Sequence, residues 1–402
     1  MPETVRIPFD RYSFHVKRNA ENGVQNIATY LSERQRSARK PHFPIPTATI
    51  KIFALPGAET VDLPTAEELQ SRLGLSSITH VALSIGLPFK PFPQDYFERL
   101  AEIFVLTELK TITTDFDAAN AASLAHHIRK NPLLEKLSLK FGDISSSALK
   151  SLLESIKDSS SISRLALVGL THLEMRDMAA IIKDNRHLTS IDLHSNDLEP
   201  ESFGILLPAL RENPRITSLN LSSNNIGVGA HNLAQLLASS NTLTALDISD
   251  NKIDASGMLS LAQAVGINNS LKTLNLSKNR MDDAALVALA RSVKTNTSLT
   301  DIAFSYSANP YPGNPFSIFR VTQQLTELAE AMFISNEVRH ALKIEDKLET
   351  RVEGLPLITD ERKTELAEEI SQIVARKKAQ IPDVSFAHPQ SAAVVPSHVQ
   401  QH

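Results

Sequence analysis

The chain has no cysteine and no tryptophan, and only 5% of its residues are aromatic. Without cysteine there can be no disulfide, zinc finger, iron–sulfur cluster or thiol nucleophile, and no ubiquitin-ligase chemistry through a cysteine thioester. With few aromatics, a core must be built from Leu, Ile, Val and Ala, and a 42% hydrophobic share of 402 residues is enough for a sizeable one. The net charge of −4 gives no reason to expect nucleic acid or a membrane surface. No run approaches the ~18–20 apolar residues of a membrane span. The first residues, MPETVRIPFDRYSFHVKRN, lack the apolar stretch of a secretory signal, so a cytoplasmic location is expected. The phosphate-binding pattern GxxxxGK[ST], the nucleophile elbow GxSxG, the zinc pattern HExxH and the calcium loop are missing too. No cofactor, metal or catalytic residue is therefore expected.

What the chain does have is an internal repeat. The segments LEKLSLKFGDI from Leu134, LTSIDLHSNDL from Leu188, ITSLNLSSNNI from Ile216, LTALDISDNKI from Leu243 and LKTLNLSKNRM from Leu271 stack on one frame, L-x-x-L-x-L-x-x-N-x-L. Weaker copies start at Ile78, Leu106, Ile162 and Leu299, so the period stays between 26 and 28 residues over nine units. Within a unit the apolar spacing changes. Leu219 and Leu221 alternate as in a strand, whereas Phe203, Leu206, Leu207 and Leu210 follow the i, i+3, i+4, i+7 spacing of a helix face. Leu149, Leu152, Leu153 and Ile156 repeat that stripe, as do Met258, Leu261, Ala262 and Val265. Each unit then reads strand, turn, helix, turn, and buries its apolar face only against its neighbours. Asn131, Asn185, Asn213, Asn268 and Asn296 sit three residues before the first strand leucine, where a left-handed residue would end each helix.

These segments resemble the leucine-rich repeat family, and the 28-residue period resembles its ribonuclease-inhibitor subtype. The resemblance covers residues 78 to about 309. It implies an α/β solenoid, a horseshoe with parallel strands on the concave face and helices on the convex face, here with helical terminal caps. It also implies that Asn196, Asn224, Asn251 and Asn279 form a structural ladder, their amides bonding the loops between repeats. Thr114, Gly142, Leu170 and Ser307 hold that position elsewhere, and less regular turns are expected there.

The frame divides the chain into an N-terminal basic helical cap over 1–46, a solenoid over 47–307 with one degenerate unit before residue 78, a C-terminal helical region over 308–380 and a disordered tail over 381–402. Only four of the 21 prolines fall between residues 94 and 309, and ANPYPGNPF at 308–316 reads as the break after the array. Ile50 and Ile52 mark the degenerate strand, with a helix over 66–73. Val24, Ile27 and Leu31 predict a helix over 22–39. Ile318, Val321, Leu325, Leu328, Met332 and Phe333 predict one helix, and Leu366, Ile370, Ile373 and Val374 another starting near Asp360.

Several features invite chemistry and have simpler readings. Gly227 and Gly229 form a bare G-x-G in a turn. His126 and His127 are neighbours on a helix, point about 100° apart and read as polar residues of its outer face, not metal ligands. Arg34, Arg36, Arg39 and Lys40 read as a solvated helix end.

The positions flanking the strand leucines point away from the core. They place Lys136, Lys140 and Arg164 on the first half of the concave face, and Asp192, His194, Asn220, Ser222, Asp247, Ser249, Asn275 and Ser277 on the second. Nine strands spaced ~4.8 Å span roughly 40 Å, the scale of a protein surface. These side chains either bind a partner or keep the inner curve soluble. Asp192 and His194 form an acid–base pair with no placed nucleophile. The expected function is a non-enzymatic scaffold binding a protein partner on the concave face, with no nucleic acid. The alternatives are a GTPase-activating type regulator of a small GTPase and a cytosolic immune-type recognition module. The chain also resembles the leucine-rich-repeat effectors that intracellular bacteria deliver into a host cytosol. That resemblance rests on the terminal helices and a Glu-bearing stretch before a loose tail (Glu361, Glu365, Glu368, Glu369), as in type IV secretion signals.

Overall fold

The computed structural model describes residues 15–18, 24–30, 47–54, 65, 80–86, 95–103, 105–112, 118–141, 144, 146–306, 328–337, 349–350 and 358–380. Within them the change of apolar period resolves as strands alternating with helices. The strands are β1 (His15–Arg18), β2 (Val24–Tyr30), β3 (Thr47–Ala54), β4 (His80–Gly86), β5 (Val105–Ile112), β6 (Lys136–Lys140) and β7 (Arg164–Val168). They continue with β8 (Ser190–Asp192), β9 (Ser218–Asn220), β10 (Ala245–Asp247), β11 (Thr273–Met281), β12 (Asp301–Tyr306) and β13 (Glu349–Thr350). The helices are α1 (Tyr96–Ile103), α2 (Ala118–Lys130), α3 (Ser146–Lys157), α4 (Met175–Asp184), α5 (Pro200–Glu212), α6 (Ala230–Ser239), α7 (Ala255–Ile267) and α8 (Asp283–Thr295). A helix over 328–337 (α9), α10 (Asp360–Glu365) and α11 (Ala367–Gln380) follow.

The strands hydrogen-bond in strict sequence order, and from β3 to β13 every pair is parallel. Parallel strands sit ~4.8 Å apart, whereas packed helices need ~8–10 Å. A stack that satisfies both must curve with its strands inside. One core runs the length of the stack, from Tyr96 and Phe97 to Leu328 and Ala331. The strand leucines Leu137, Leu165, Ile191, Leu219, Leu246 and Leu274 are all at most 2% exposed, and the helical stripes read from the sequence on α3, α5 and α7 are buried against them.

Two asparagine ladders join neighbouring units, one at each end of the strand. At the strand-to-helix turn, Asn224 accepts the N–H groups of Asn196 and Leu198 at 2.9 and 3.0 Å and donates to the carbonyls of Leu193, Leu221 and Ser222. Asn196, Asn251 and Asn279 bond in the same way. The residue just before each ladder asparagine is left-handed: Ser195, Ser223, Asp250 and Lys278 lie at φ 54–57°. Leu170 does not break this turn. Gly169 takes the left-handed role at φ +89°, and Asn196 accepts the Leu170 N–H at 2.7 Å. Thr114, Gly142 and Ser307 lie outside the described residues.

At the helix-to-strand turn the reason expected for the asparagines is wrong. Asn185, Asn213, Asn268 and Asn296 follow their helices in extended conformation, with φ between −73° and −85°, so no left-handed residue is needed. Their amides instead donate to the last carbonyls of the helix one unit earlier, Asn268 to Leu237 at 2.7 Å and Asn296 to Val265 at 2.7 Å. Their side-chain oxygens accept the N–H groups that open the next strand, as Asn268 does from Ser270 and Leu271. Helix-end carbonyls have no partner within their own helix, and this ladder supplies one.

The ends depart from expectation in three places. Where a helix is predicted over 22–39, residues Val24–Tyr30 form strand β2, antiparallel to both β1 and β3. Its Val, Ile, Thr and Tyr favour a strand, and β3 offers hydrogen bonds along its whole length, which outweighs the three-residue spacing of Val24 and Ile27. The first clear unit is also out of frame. Its Leu83 pairs with Leu109, and Ser84 rather than Ala82 faces Lys110, across a register shift between Val81 and Ala82. Third, His127 is not on the outer face: it is 1% exposed, packed 5.3 Å from the Phe97 ring and bonded to Asn131 at 3.1 Å. His126 does face outward, to Glu98 at 2.7 Å. The strand around Ile50 and Ile52 forms as β3. The predicted helix over 66–73, the basic cluster at 34–40, the break at 308–316, Ile318, Val321, Leu325 and the tail over 381–402 lie outside the described residues.

The C-terminal helices cap the array. Leu328 and Ala331 of α9 join the main core, and Ser335 donates to the Asn296 carbonyl at 3.1 Å. Arg362 forks onto both Glu330 oxygens at 2.7 and 3.0 Å, and Lys294 of α8 reaches Glu369 of α11 at 2.6 Å. Leu366 and Ile373 are buried with Ile334, beside the partly buried Ile370 and Val374, on the face the sequence predicts.

Two stability outcomes follow. Asn224→Ala leaves two buried N–H groups and several carbonyls without their partner, at about 1–3 kcal/mol per orphaned group; urea unfolding of this variant should show a loss of about 3 kcal/mol or more. Burial pushes the His127 imidazole from 6.5 down to about 4, opposed by Glu98. Below pH 6.5 the unfolded chain binds a proton that the folded chain refuses until about pH 4. His127 therefore costs no stability above pH 6.5 and a growing amount as the pH falls towards 4. Urea midpoints at pH 7, 5.5 and 4.5 should fall less steeply for His127→Gln than for the native chain.

Candidate interaction surface on the concave sheet

The inner face of the sheet is built from residues that alternate with the buried strand leucines. Lys136, Ser138 and Lys140 of β6 pair across to Arg164, Ala166 and Val168 of β7. Ala166 pairs with Asp192, Asp192 with Asn220, Asn220 with Asp247 and Asp247 with Asn275, so the central column from β7 to β11 is the one the frame predicts. All the concave residues predicted from the sequence lie on this side, half-buried or exposed.

The central column has a local role that the sequence reading missed. Each side-chain oxygen accepts the N–H two residues on: Asp192 from His194 at 3.0 Å, Asn220 from Ser222 at 3.0 Å, Asp247 from Ser249 at 2.9 Å and Asn275 from Ser277 at 3.1 Å. This Asx turn ends the short strand and lets the chain leave the sheet for the ladder turn. Asp and Asn make this turn better than Ser or Thr, and these two residue types alternate down the column from β8 to β11. A second missed feature is a hydroxyl ladder one residue after the first frame leucine. Ser163, Thr189, Thr217, Thr244 and Thr300 donate to the carbonyls of Glu135, Ser163, Thr189, Thr217 and Lys272 at 3.0–3.3 Å. Its signal, Ser or Thr directly after the first Leu or Ile of the frame, is visible in three of the quoted segments and in the weaker copies from Ile162 and Leu299.

The second half of the face holds an open concavity of about 230 Å³ between β9 and β12. Asn220, Asp247, Asn275 and Asp301 stand on its walls, with Ala245 and Thr273 between them. Asp247 is held by the Ser249 hydroxyl at 2.7 Å and the Asn275 amide at 2.9 Å. Asp192 holds the His194 ring at 2.8 Å, but among the described residues no serine hydroxyl bonds to that ring, so no nucleophile completes the pair. Among the described residues no three His, Asp or Glu side chains converge as metal ligands, and no helix is long and apolar enough to cross a membrane.

Comparison with known proteins agrees with this geometry. A family model described as Leucine Rich repeat matches residues 184–202, 212–229, 239–262 and 268–290. The chain is 28% identical over 159 residues to NACHT, LRR and PYD domains-containing protein 14 of Mus musculus, covering 38% of this chain and 16% of that protein. It is 32% identical over 98 residues to the ribonuclease inhibitor of Mus musculus, covering 24% of this chain and 21% of that protein. The chain thus spans about a fifth or less of the length of these curated relatives. Among solved structures, the tropomodulin C-terminal domain of Caenorhabditis elegans is 17% identical with a TM-score of 0.32, covering 36% of this chain and 90% of that one. The leiomodin-1 actin-binding site 2 is 16% identical with a TM-score of 0.28, covering 50% and 96%. At such scores neither likeness carries a functional argument. The matched repeats, the constant period and the asparagine ladder show that the chain carries an array of leucine-rich repeats, similar to those of the ribonuclease inhibitor.

Proposed function

We propose that the chain is a non-enzymatic scaffold whose concave sheet binds a protein partner. Repeats of this class are protein-interaction modules, and the observation that supports the concave face here is its floor. Where the strands β8 to β12 pair, its floor carries small or short side chains, Ser190, Ser218, Ala245, Thr273 and Ala303 among them, so a partner can reach the sheet across five strands. The width of the array exceeds what a metabolite would need, and among the described residues no nucleophile bonds to the Asp192–His194 pair.

Delivery into a host cytosol gains nothing from the geometry. In the Glu-bearing stretch, Glu365 pairs with Arg362 and Glu369 with Lys294, and the tail over 381–402 that would carry the signal lies outside the described residues. The GTPase-activating and immune-recognition alternatives gain no residue either.

The test is to obstruct the floor. Ala245→Tyr places a large side chain in the concavity, and Gln235→Tyr places the same one on the exposed convex face of α6. Capture from a eukaryotic cytosolic lysate should recover a saturable partner with the native chain and with Gln235→Tyr but not with Ala245→Tyr. Equal recovery by both variants would move the binding surface off the concave face.

A further inference from the structure

Charge on the inner face is segregated by strand. On β6 and β7 the outward positions carry Lys136, Lys140 and Arg164 and no acid. At the matching positions of β8 to β12 stand Asp192, Asp247 and Asp301, and the exposed basic side chains of β11, Lys278 and Arg280, lie beyond its Asx turn at Asn275, beside the ladder Asn279. Asp247 accepts from the Ser249 N–H, the Ser249 hydroxyl and the Asn275 amide, all neutral, and these orient its carboxylate without cancelling its charge. Among the described residues no Lys or Arg forms an ion pair with Asp192 or Asp247.

The spacing adds a ruler. Asp192 and Asp247 share a column with Asn220 between them, which puts them two strands, about 9.6 Å, apart. A polyproline-type segment repeats its face every three residues, or about 9.3 Å. A helix returns to the same face after seven residues, or about 10.5 Å. The concavity beside Asp247, about 230 Å³, is smaller than the ~300–1,000 Å³ of ordinary ligand sites. It is of the size to admit a long side chain or two.

We propose that the concave face is a polar track for a polypeptide segment of matching dipolar charge. The segment lies across the strands with Lys or Arg side chains about 10 Å apart over Asp192 and Asp247, one of them entering the concavity, and with acidic side chains over Lys136, Lys140 and Arg164. This rests on the concave-face reading above and names the chemistry of its partner. Opposite charges of this kind set orientation and association rate more than they set affinity.

The experiment selects a random twelve-residue peptide library on the folded full-length chain and on Asp192→Asn/Asp247→Asn/Asp301→Asn. Asparagine keeps the Asx oxygen that ends each strand at 192 and 247, so this variant changes charge and not the turn there. Circular dichroism and urea unfolding confirm its fold. The native chain should enrich peptides with Lys or Arg three or seven residues apart and acidic residues to one side. The enriched peptides should bind the triple variant roughly tenfold more weakly at low salt and should be displaced by salt. Three outcomes overturn the proposal. Enriched peptides without a basic excess that are still blocked by Ala245→Tyr would leave the concave face as the working surface and remove its charge code. No enrichment on either protein would remove both readings. Self-association of the native chain that vanishes in the triple variant would put a second copy on the face in place of a partner.

Discussion

The hydrogen-bonded asparagine amide is the interaction on which the rest of this structure depends. A single repeat leaves polar backbone groups unpaired at both of its turns, and it has no spare donors of its own to satisfy them. Asn224 and its equivalents bond one set across the strand-to-helix turn. Asn268 and its equivalents bond the other across the helix-to-strand turn. Each asparagine makes bonds within its own unit and into the neighbouring one, so the array is polar glue around an apolar core, and neither part is complete in one repeat. An unpaired buried backbone group costs about 1–3 kcal/mol, so the ladders decide the register with which units stack.

Curvature and the candidate site follow from that stacking. Strands at ~4.8 Å and helices at ~8–10 Å cannot stack straight, and the sheet becomes the inner wall. From β8 to β11 its outward column ends each strand pairing with an Asx turn, made by Asp or Asn. That choice sets the turn, but it leaves the sign of the surface open, because Asp and Asn serve the backbone equally well. The acid at 192 and 247 is therefore a choice the turn did not dictate, and it is where a partner can be read.

The repeat, its parallel strands and the concave column were legible because a period of about 28 residues written nine times outweighs local ambiguity. Three things were not legible, each for a physical reason. The strand at Val24–Tyr30 carries apolar residues three apart, a spacing that both a helix and a short strand can satisfy, and pairing with β3 settled it. The role of Asn185, Asn213, Asn268 and Asn296 depends on carbonyls one unit away, which a position-by-position reading of helix ends does not reach. His127 carries a polar label on a buried face, and only its contacts with Phe97 and Asn131 show that it is core. The hydroxyl ladder was written in the sequence at every unit from Ile162 except that of Leu271, and was overlooked because Ser and Thr there look like ordinary strand polars.

The most direct test of the central claim is native-state hydrogen exchange of the amides that asparagine side chains accept. These are the N–H groups of Asn196 and Leu198, held by Asn224, and of Asn251 and Ile253, held by Asn279. They lie in turns, outside the strand ladder. If side-chain bonds between units hold the array together, they should exchange as slowly as the strand amides of Leu219 and Leu246 and open only when neighbouring repeats separate. Exchange at the rate of the exposed turn residues would show that the ladder is decoration on a core that stands without it.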